Sequence, residues 1–204
     1  PGQRLRQQVP DPDRRWQPQV DPRVPDHRRD RLLHGPPVFA DSLTLPYAEY
    51  RDEDIAHRVV YVEASRGCPF KCEFCLSALD RSATPFNLDH FLAAMESLYQ
   101  RGLRHFKFVD RTFNLKVGNS LRILDFFLQR IDENLFLHFE LIPDHLPERL
   151  KEAIQRFPPG TLQFEIGVQS LNPEVQQRIS RKQDNEKSAE NLRWIRDESH
   201  AHIH

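Results

Sequence analysis

Only three cysteines occur in the 204 residues, an odd number, and they sit close together. A disulfide framework needs pairs at wider spacing, so that architecture is excluded. Net charge is nearly absent as well: 29 Lys and Arg stand against 30 Asp and Glu, a formal −1 at pH 7. No overall basic field therefore argues for a nucleic acid or an anionic membrane as partner. No apolar run approaches the ~20 residues of a membrane-spanning helix. The N-terminus has no apolar core of the signal-peptide kind. Clustered thiols without partners suit a reducing compartment, so the expected location is cytoplasmic. The chain begins at Pro1 without an initiator methionine and stops at His204, and it is read as a fragment of a longer protein.

What the chain does have is a compact thiol motif. The cysteines lie in Arg66-Gly67-Cys68-Pro69-Phe70-Lys71-Cys72-Glu73-Phe74-Cys75. The C-x3-C-x2-C spacing closes three thiolates around one face of an inorganic cube. A cubic iron–sulfur cluster has four irons and usually four cysteine ligands. Three cysteines leave one iron open to a small molecule, which suits catalysis better than storage or simple electron transfer. Gly67 gives a loop wrapping a cluster the permissive backbone it needs. The competing reading is a structural zinc site, which normally takes four ligands. His57 and His90 are the candidates for the fourth, and neither stands at a usual zinc-site spacing from the cysteines.

Residues 1–37 are dominated by proline and arginine, as in Pro10-Asp11-Pro12-Asp13-Arg14-Arg15. Apolar periodicity is missing, so this stretch cannot bury enough surface to offset its ordering entropy. It is read as a linker or disordered segment, its basic run as a solvated tail. Residues 38–57 form a lead-in, with Leu45-Pro46-Tyr47 extended. Residues 58–204 alternate strand and helix. Strand signals at 58–65, 106–109, 135–141 and 162–168 are followed by a fifth beginning at 201–204. Leu88, Phe91, Leu92, Met95, Leu98 and Tyr99 make one helical stripe, with Asn87 as N-cap and Gly102 as stop. Leu121, Leu124, Phe127, Leu128 and Ile131 make a second. Pro147 and Asn172-Pro173 open two more helices, and residues 186–198 are helical again. Such repetition builds an α/β fold with a parallel sheet and right-handed crossovers, a barrel or part of one. About four and a half β/α units are present.

Alternation along the strands selects inward-facing groups. Leu162, Phe164, Ile166 and Val168 share one face, and Gln163, Glu165, Gly167 and Gln169 the other. Phe136, His138 and Glu140 oppose Leu135, Leu137, Phe139 and Leu141. Tyr61, Glu63 and Ser65 are the polar set of the first strand. Polar groups on an inner face need hydrogen-bond partners, and a bound polar cofactor would supply them. Glu140 and Glu165 either face such a cofactor or bond within the barrel; His138 is read as structural. Asp110 shares parity with Phe106 and Phe108 and is expected to act from the strand's end, where barrel active sites gather. The alternating His200, His202 and His204 are set aside as a metal strand.

The cysteine motif, with Phe74 just before its last cysteine, resembles the signature of the radical S-adenosylmethionine (SAM) family. The resemblance implies a partial (β/α)6 TIM-like barrel with the cluster loop after the first strand. It further implies a [4Fe-4S] cluster on Cys68, Cys72 and Cys75 and reductive cleavage of SAM to a 5′-deoxyadenosyl radical. Phe108-Val109-Asp110-Arg111-Thr112-Phe113 is similar to an F-x-D-D-x-F form of the family's second motif, with Arg111 in place of the second aspartate. Asp110 alone is therefore carried over as a contact to the SAM amino group. Glu165-Ile166-Gly167-Val168-Gln169-Ser170 resembles the fourth-strand G-x-[EQ]-S motif, which implies Gln169 and Ser170 near the ribose or methionine of SAM. Arg181 stands where related members have a basic residue that pairs with the SAM carboxylate, and Phe74 would help position the adenine. The branch with an N-terminal cobalamin-binding domain is the most similar, so cobalamin is expected only in a full-length protein. The implied partners are an unknown substrate and a reductant such as flavodoxin or ferredoxin. A non-catalytic iron–sulfur or zinc module remains the alternative, and the resemblance names no catalytic residue.

Overall fold

The computed structural model describes residues 43–79 and 83–204. The segment 1–37 and the start of the 38–57 lead-in lie outside the described residues. In chain order the strands are β1 (Val60–Val62), β2 (Ser65–Arg66), β3 (Thr84–Pro85), β4 (His105–Phe108), β5 (Phe136–Leu141), β6 (Leu162–Ile166) and β7 (His202–Ile203). The α-helices are α1 (Asp52–His57), α2 (Leu88–Gln100), α3 (Val117–Leu128), α4 (Glu148–Gln155), α5 (Pro173–Arg178) and α6 (Asn185–Glu198). Five strands form one sheet in the order β1-β4-β5-β6-β7, every pair parallel. Each crossover steps to the neighbouring strand in one direction. Right-handed crossovers that never reverse keep their helices on one face, which gives the arc of a barrel rather than a doubly wound sheet.

Local chemistry explains the helix ends. The Asn87 side chain accepts from the His90 N–H, and Asn172 accepts from Glu174 and Val175 with Pro173 at the first helical position. Asp184 caps α6 in the same way, accepting from Glu186 and Lys187. Each cap satisfies donors that a helix start otherwise leaves unpaired. Gly102 closes the end of α2 at φ +99°, a conformation that a Cβ disfavours. Three expectations shift. Pro46–Glu49 form a 3-10 turn rather than an extended segment. Ile131 falls beyond α3 and is exposed. The expected first strand divides: β1 stops at Val62, and Ser65 and Arg66 leave the sheet to pair antiparallel with Pro85 and Thr84.

The two faces of the sheet differ as alternation predicts. Val60 and Val62, Phe106 and Phe108, Leu137 and Phe139, Leu162 and Phe164 are all buried beneath the helices. Phe139 is the centre of this core, with ring centroids 4.1 Å from Phe113 and 4.4 Å from Phe108. Phe139→Ala is expected to cost about 3–5 kcal/mol, read as a lower urea midpoint with little change in slope. On the other face, Tyr61, Lys107, His138, Gln163 and His202 are register partners in one row across all five strands. His138 is buried in that row, and desolvation together with the Lys107 charge holds its imidazole below the usual histidine range.

Candidate functional site

Beyond the carboxyl end of β1 the chain is tied down before it turns. Ala64 N–H donates to Asp110 Oδ2 at 2.9 Å, and the Ser65 hydroxyl donates to Asp110 Oδ1 at 2.6 Å. Gly67, at φ +92°, then swings the chain into the cysteine loop. Within the loop Cys75 N–H donates to the Cys72 carbonyl at 3.1 Å. Burial pushes the Cys68 thiol up, partly offset by a backbone hydrogen bond at Phe70.

Cys68, Cys72 and Cys75 all line one cleft of about 260 Å³. It opens beyond the carboxyl ends of the parallel strands, the end at which barrel sites are assembled. The same cleft is lined by Glu140 from β5 and Glu165 from β6, with Gly167 and Gln169 just past β6. Both carboxylates are held. Arg111 Nη1 lies 3.0 Å from each Glu140 oxygen, and His138 Nε2 lies 3.2 Å from Glu165 Oε2. Arg181 reaches the same cleft, its Nη1 3.9 Å from Cys72 Sγ. Its other nitrogens bond the Gly167 carbonyl and Gln183 Oε1.

Of the five residues expected to contact a small cofactor, three line the cleft: Phe74, Gln169 and Arg181. Phe74 is half exposed at 53%, and Gln169 has φ +65°, so the backbone itself turns at that point. A Cβ on Gly167 would meet Gln169 Nε2 at 2.8 Å; the small residue lets that side chain fold back over the strand end.

The other two stand outside the cleft. Asp110 is 2% exposed and borders a separate small cavity with Ser65. Burial pushes its carboxyl up to about 6 against the ordinary 3.8, while the Ser65 and Ala64 hydrogen bonds pull the other way. Ser170 Oγ accepts from Asn172 N–H at 3.1 Å, and its carbonyl accepts from Gln176 Nε2 at 2.8 Å. Those bonds assign it to the start of α5. Arg111, set aside as a departure from a motif, lies in the cleft instead.

The donor set suits a cluster. Three cysteine residues line a cavity whose wall also carries carboxylates, amides and guanidinium groups. A single zinc normally takes four ligands at one point, whereas a cube spreads three cysteines over separate irons.

Known proteins share this fold. The sequence profile of the Radical SAM superfamily matches residues 62–202. An uncharacterized methyltransferase of Pyrococcus horikoshii is 27% identical over 136 residues, 64% of this chain and 28% of that protein. Among solved structures, the radical S-adenosylmethionine methyltransferase TsrM from Kitasatospora setae, with cobalamin and a [4Fe-4S] cluster bound, superposes with a TM-score of 0.57 at 18% identity. The overlap covers 72% of this chain and 30% of TsrM. The cobalamin-dependent S-adenosylmethionine radical enzyme OxsB gives 0.56 at 20% identity, over 72% of this chain and 23% of OxsB. The chain thus spans less than a third of the length of these proteins. Through the profile match over most of its length, and with its three cysteines gathered at the strand ends, the chain belongs to the radical SAM superfamily.

Proposed function

We propose that this chain is the core of a radical SAM enzyme, with Cys68, Cys72 and Cys75 as ligands of a [4Fe-4S] cluster and SAM in the same cleft. The carrying observation is that all three cysteines line one cavity together with Phe74, Gln169 and Arg181. When bound, the cluster and SAM supply one-electron cleavage of SAM to methionine and a 5′-deoxyadenosyl radical. The protein's own residues bind and orient. Arg181 offers a guanidinium fork suited to the SAM carboxylate, although part of that fork is already engaged by Gly167 and Gln183. Gln169 offers an amide to ribose or methionine, and Phe74 an aromatic face to the adenine. Glu140 and Glu165, fixed by Arg111 and His138, present acceptors to whatever occupies the cleft. Asp110 and Ser170 serve the site as braces, since their polar atoms are committed to Ala64, Ser65, Asn172 and Gln176.

Two parts of the reading concern the longer protein. A flavodoxin or ferredoxin delivers the electron, and cobalamin joins the cofactor set through a domain outside this core. The relative named a methyltransferase makes methyl transfer the first substrate reaction to assay. Among the described residues no helix is long and apolar enough to cross a membrane. The reducing conditions that suit clustered free thiols support a cytoplasmic location.

The test is anaerobic reconstitution with iron and sulfide, then dithionite and SAM. About four irons per chain, with 5′-deoxyadenosine detected by mass spectrometry, is the expected result. Zinc retained in place of iron would overturn the proposal.

A further inference from the structure

The corner after α5 is built more firmly than a solvated charge requires. Ile179 N–H donates to Val175, Ser180 N–H to Gln177 and Arg181 N–H to Gln176, at 3.0, 3.2 and 2.8 Å. That pattern winds up the helix end around Ser180, whose φ is +53°. Helix ends usually place glycine in this left-handed conformation, because a Cβ is strained there. Serine has a use that glycine would not. Its hydroxyl donates to Glu73 Oε1 at 2.8 Å, across 107 residues of sequence. Glu73 N–H donates in turn to the Ile179 carbonyl at 3.1 Å. One residue further on, Arg181 Nη1 lies 3.9 Å from Cys72 Sγ. Arg181 is itself aimed by the Gly167 carbonyl and by Gln183 Oε1. Three contacts from consecutive residues therefore grip Cys72 and Glu73.

We propose that Ile179–Arg181 is a clamp that fixes the cysteine loop and seats a guanidinium on the Cys72 sulfur, so that Arg181 sets the reduction potential of the iron–sulfur group held there. The redox half of this rests on the cluster reading above; the clamp half does not. A cation and an N–H beside a thiolate sulfur stabilise the more negative, reduced state, and hydrogen bonds to sulfur with local charge are among the main controls of cluster potential. In the measured step one electron passes from a low-potential viologen mediator to the iron–sulfur group, and no proton or bond moves at Arg181. This role is separate from holding a SAM carboxylate, because it operates with SAM absent.

The experiment is an EPR-monitored redox titration of the reconstituted protein without SAM. Arg181→Gln is expected to be about tenfold less reduced at a given potential, ~59 mV lower in midpoint for one electron. Arg181→Lys keeps the charge and should recover most of the difference. A midpoint for Arg181→Gln equal to that of the parent protein would overturn the tuning role. The clamp is read separately by hydrogen exchange across residues 68–75 in the metal-free protein, where the outcome does not depend on a cluster. Ser180→Gly relieves the backbone strain yet removes the hydroxyl, so the cysteine loop should exchange faster while α5 does not. Unchanged exchange at 68–75 in Ser180→Gly would overturn the clamp. If the parent protein takes up no iron at all, the cluster reading and the tuning role fail together, and the exchange result still decides the clamp.

Discussion

Cys68→Ala, Cys72→Ala and Cys75→Ala are each expected to abolish the intact cluster, with iron falling from about four per chain to background and no 5′-deoxyadenosine formed. Each sulfur would serve a different iron, so no remaining cysteine can substitute for the one removed, and the chain has no other cysteine to recruit. The same variants should leave the fold nearly intact. Cys68 and Cys75 are only partly buried, and the main apolar core lies under the opposite face of the sheet. Removing a half-buried thiol from a loop typically changes stability by about 0.5 kcal/mol or less. Cys72 is buried and should cost somewhat more. Iron lost with the circular-dichroism melt unchanged separates a ligand from a structural cysteine. Full iron and SAM cleavage in Cys72→Ala would reject the ligand set.

Short-range signals account for what could be read in advance. Asn87 and Asn172 are caps because their side chains serve donors two or three residues away, a relation contained within a single turn. Alternation in β6 separated Gln163 and Glu165 from Leu162 and Phe164, and that face leads into the cleft. Asp110 carried a signal as well. It shares parity with Phe106 and Phe108, and the structure keeps it buried rather than opening it to the cleft. Its expected cofactor contact came from motif position, while its burial was legible in its parity with the two phenylalanines. Other features had no local trace. β2 and β3 are two residues each, too short for any period to show. The bond between Ser180 and Glu73 joins positions 107 apart, and only the folded chain brings them together. The Arg111–Glu140 pair joins the turn after β4 to β5 in the same way.

Asp110→Asn is expected to raise stability at neutral pH and to flatten its pH dependence. The carboxyl sits at about 6 in the folded chain against an ordinary value of 3.8, with burial as the largest cause. The folded state therefore binds this proton more tightly than the unfolded state does. Between those two values folding takes up a proton, so stability falls as pH rises through the window and levels off above it. At ~1.4 kcal/mol per tenfold difference in proton affinity, the loss is at most about 3 kcal/mol. Asparagine keeps an acceptor for the Ala64 N–H and a polar partner for the Ser65 hydroxyl, while the buried charge disappears. Asp110→Ala differs, because it leaves the Ala64 N–H unpaired at a cost of about 1–3 kcal/mol. Urea midpoints at pH 4, 6 and 7.5 should thus rank Asn above the parent and Ala below Asn at the highest pH, with the Asn and Ala slopes both flatter than the parent's. An Asp110→Asn protein less stable than the parent at pH 7.5, with the same slope, would show that the charge itself is needed. Because Asp110 braces the junction between β1 and the cysteine loop without lining the cleft, the Asn variant should also take up iron as the parent protein does.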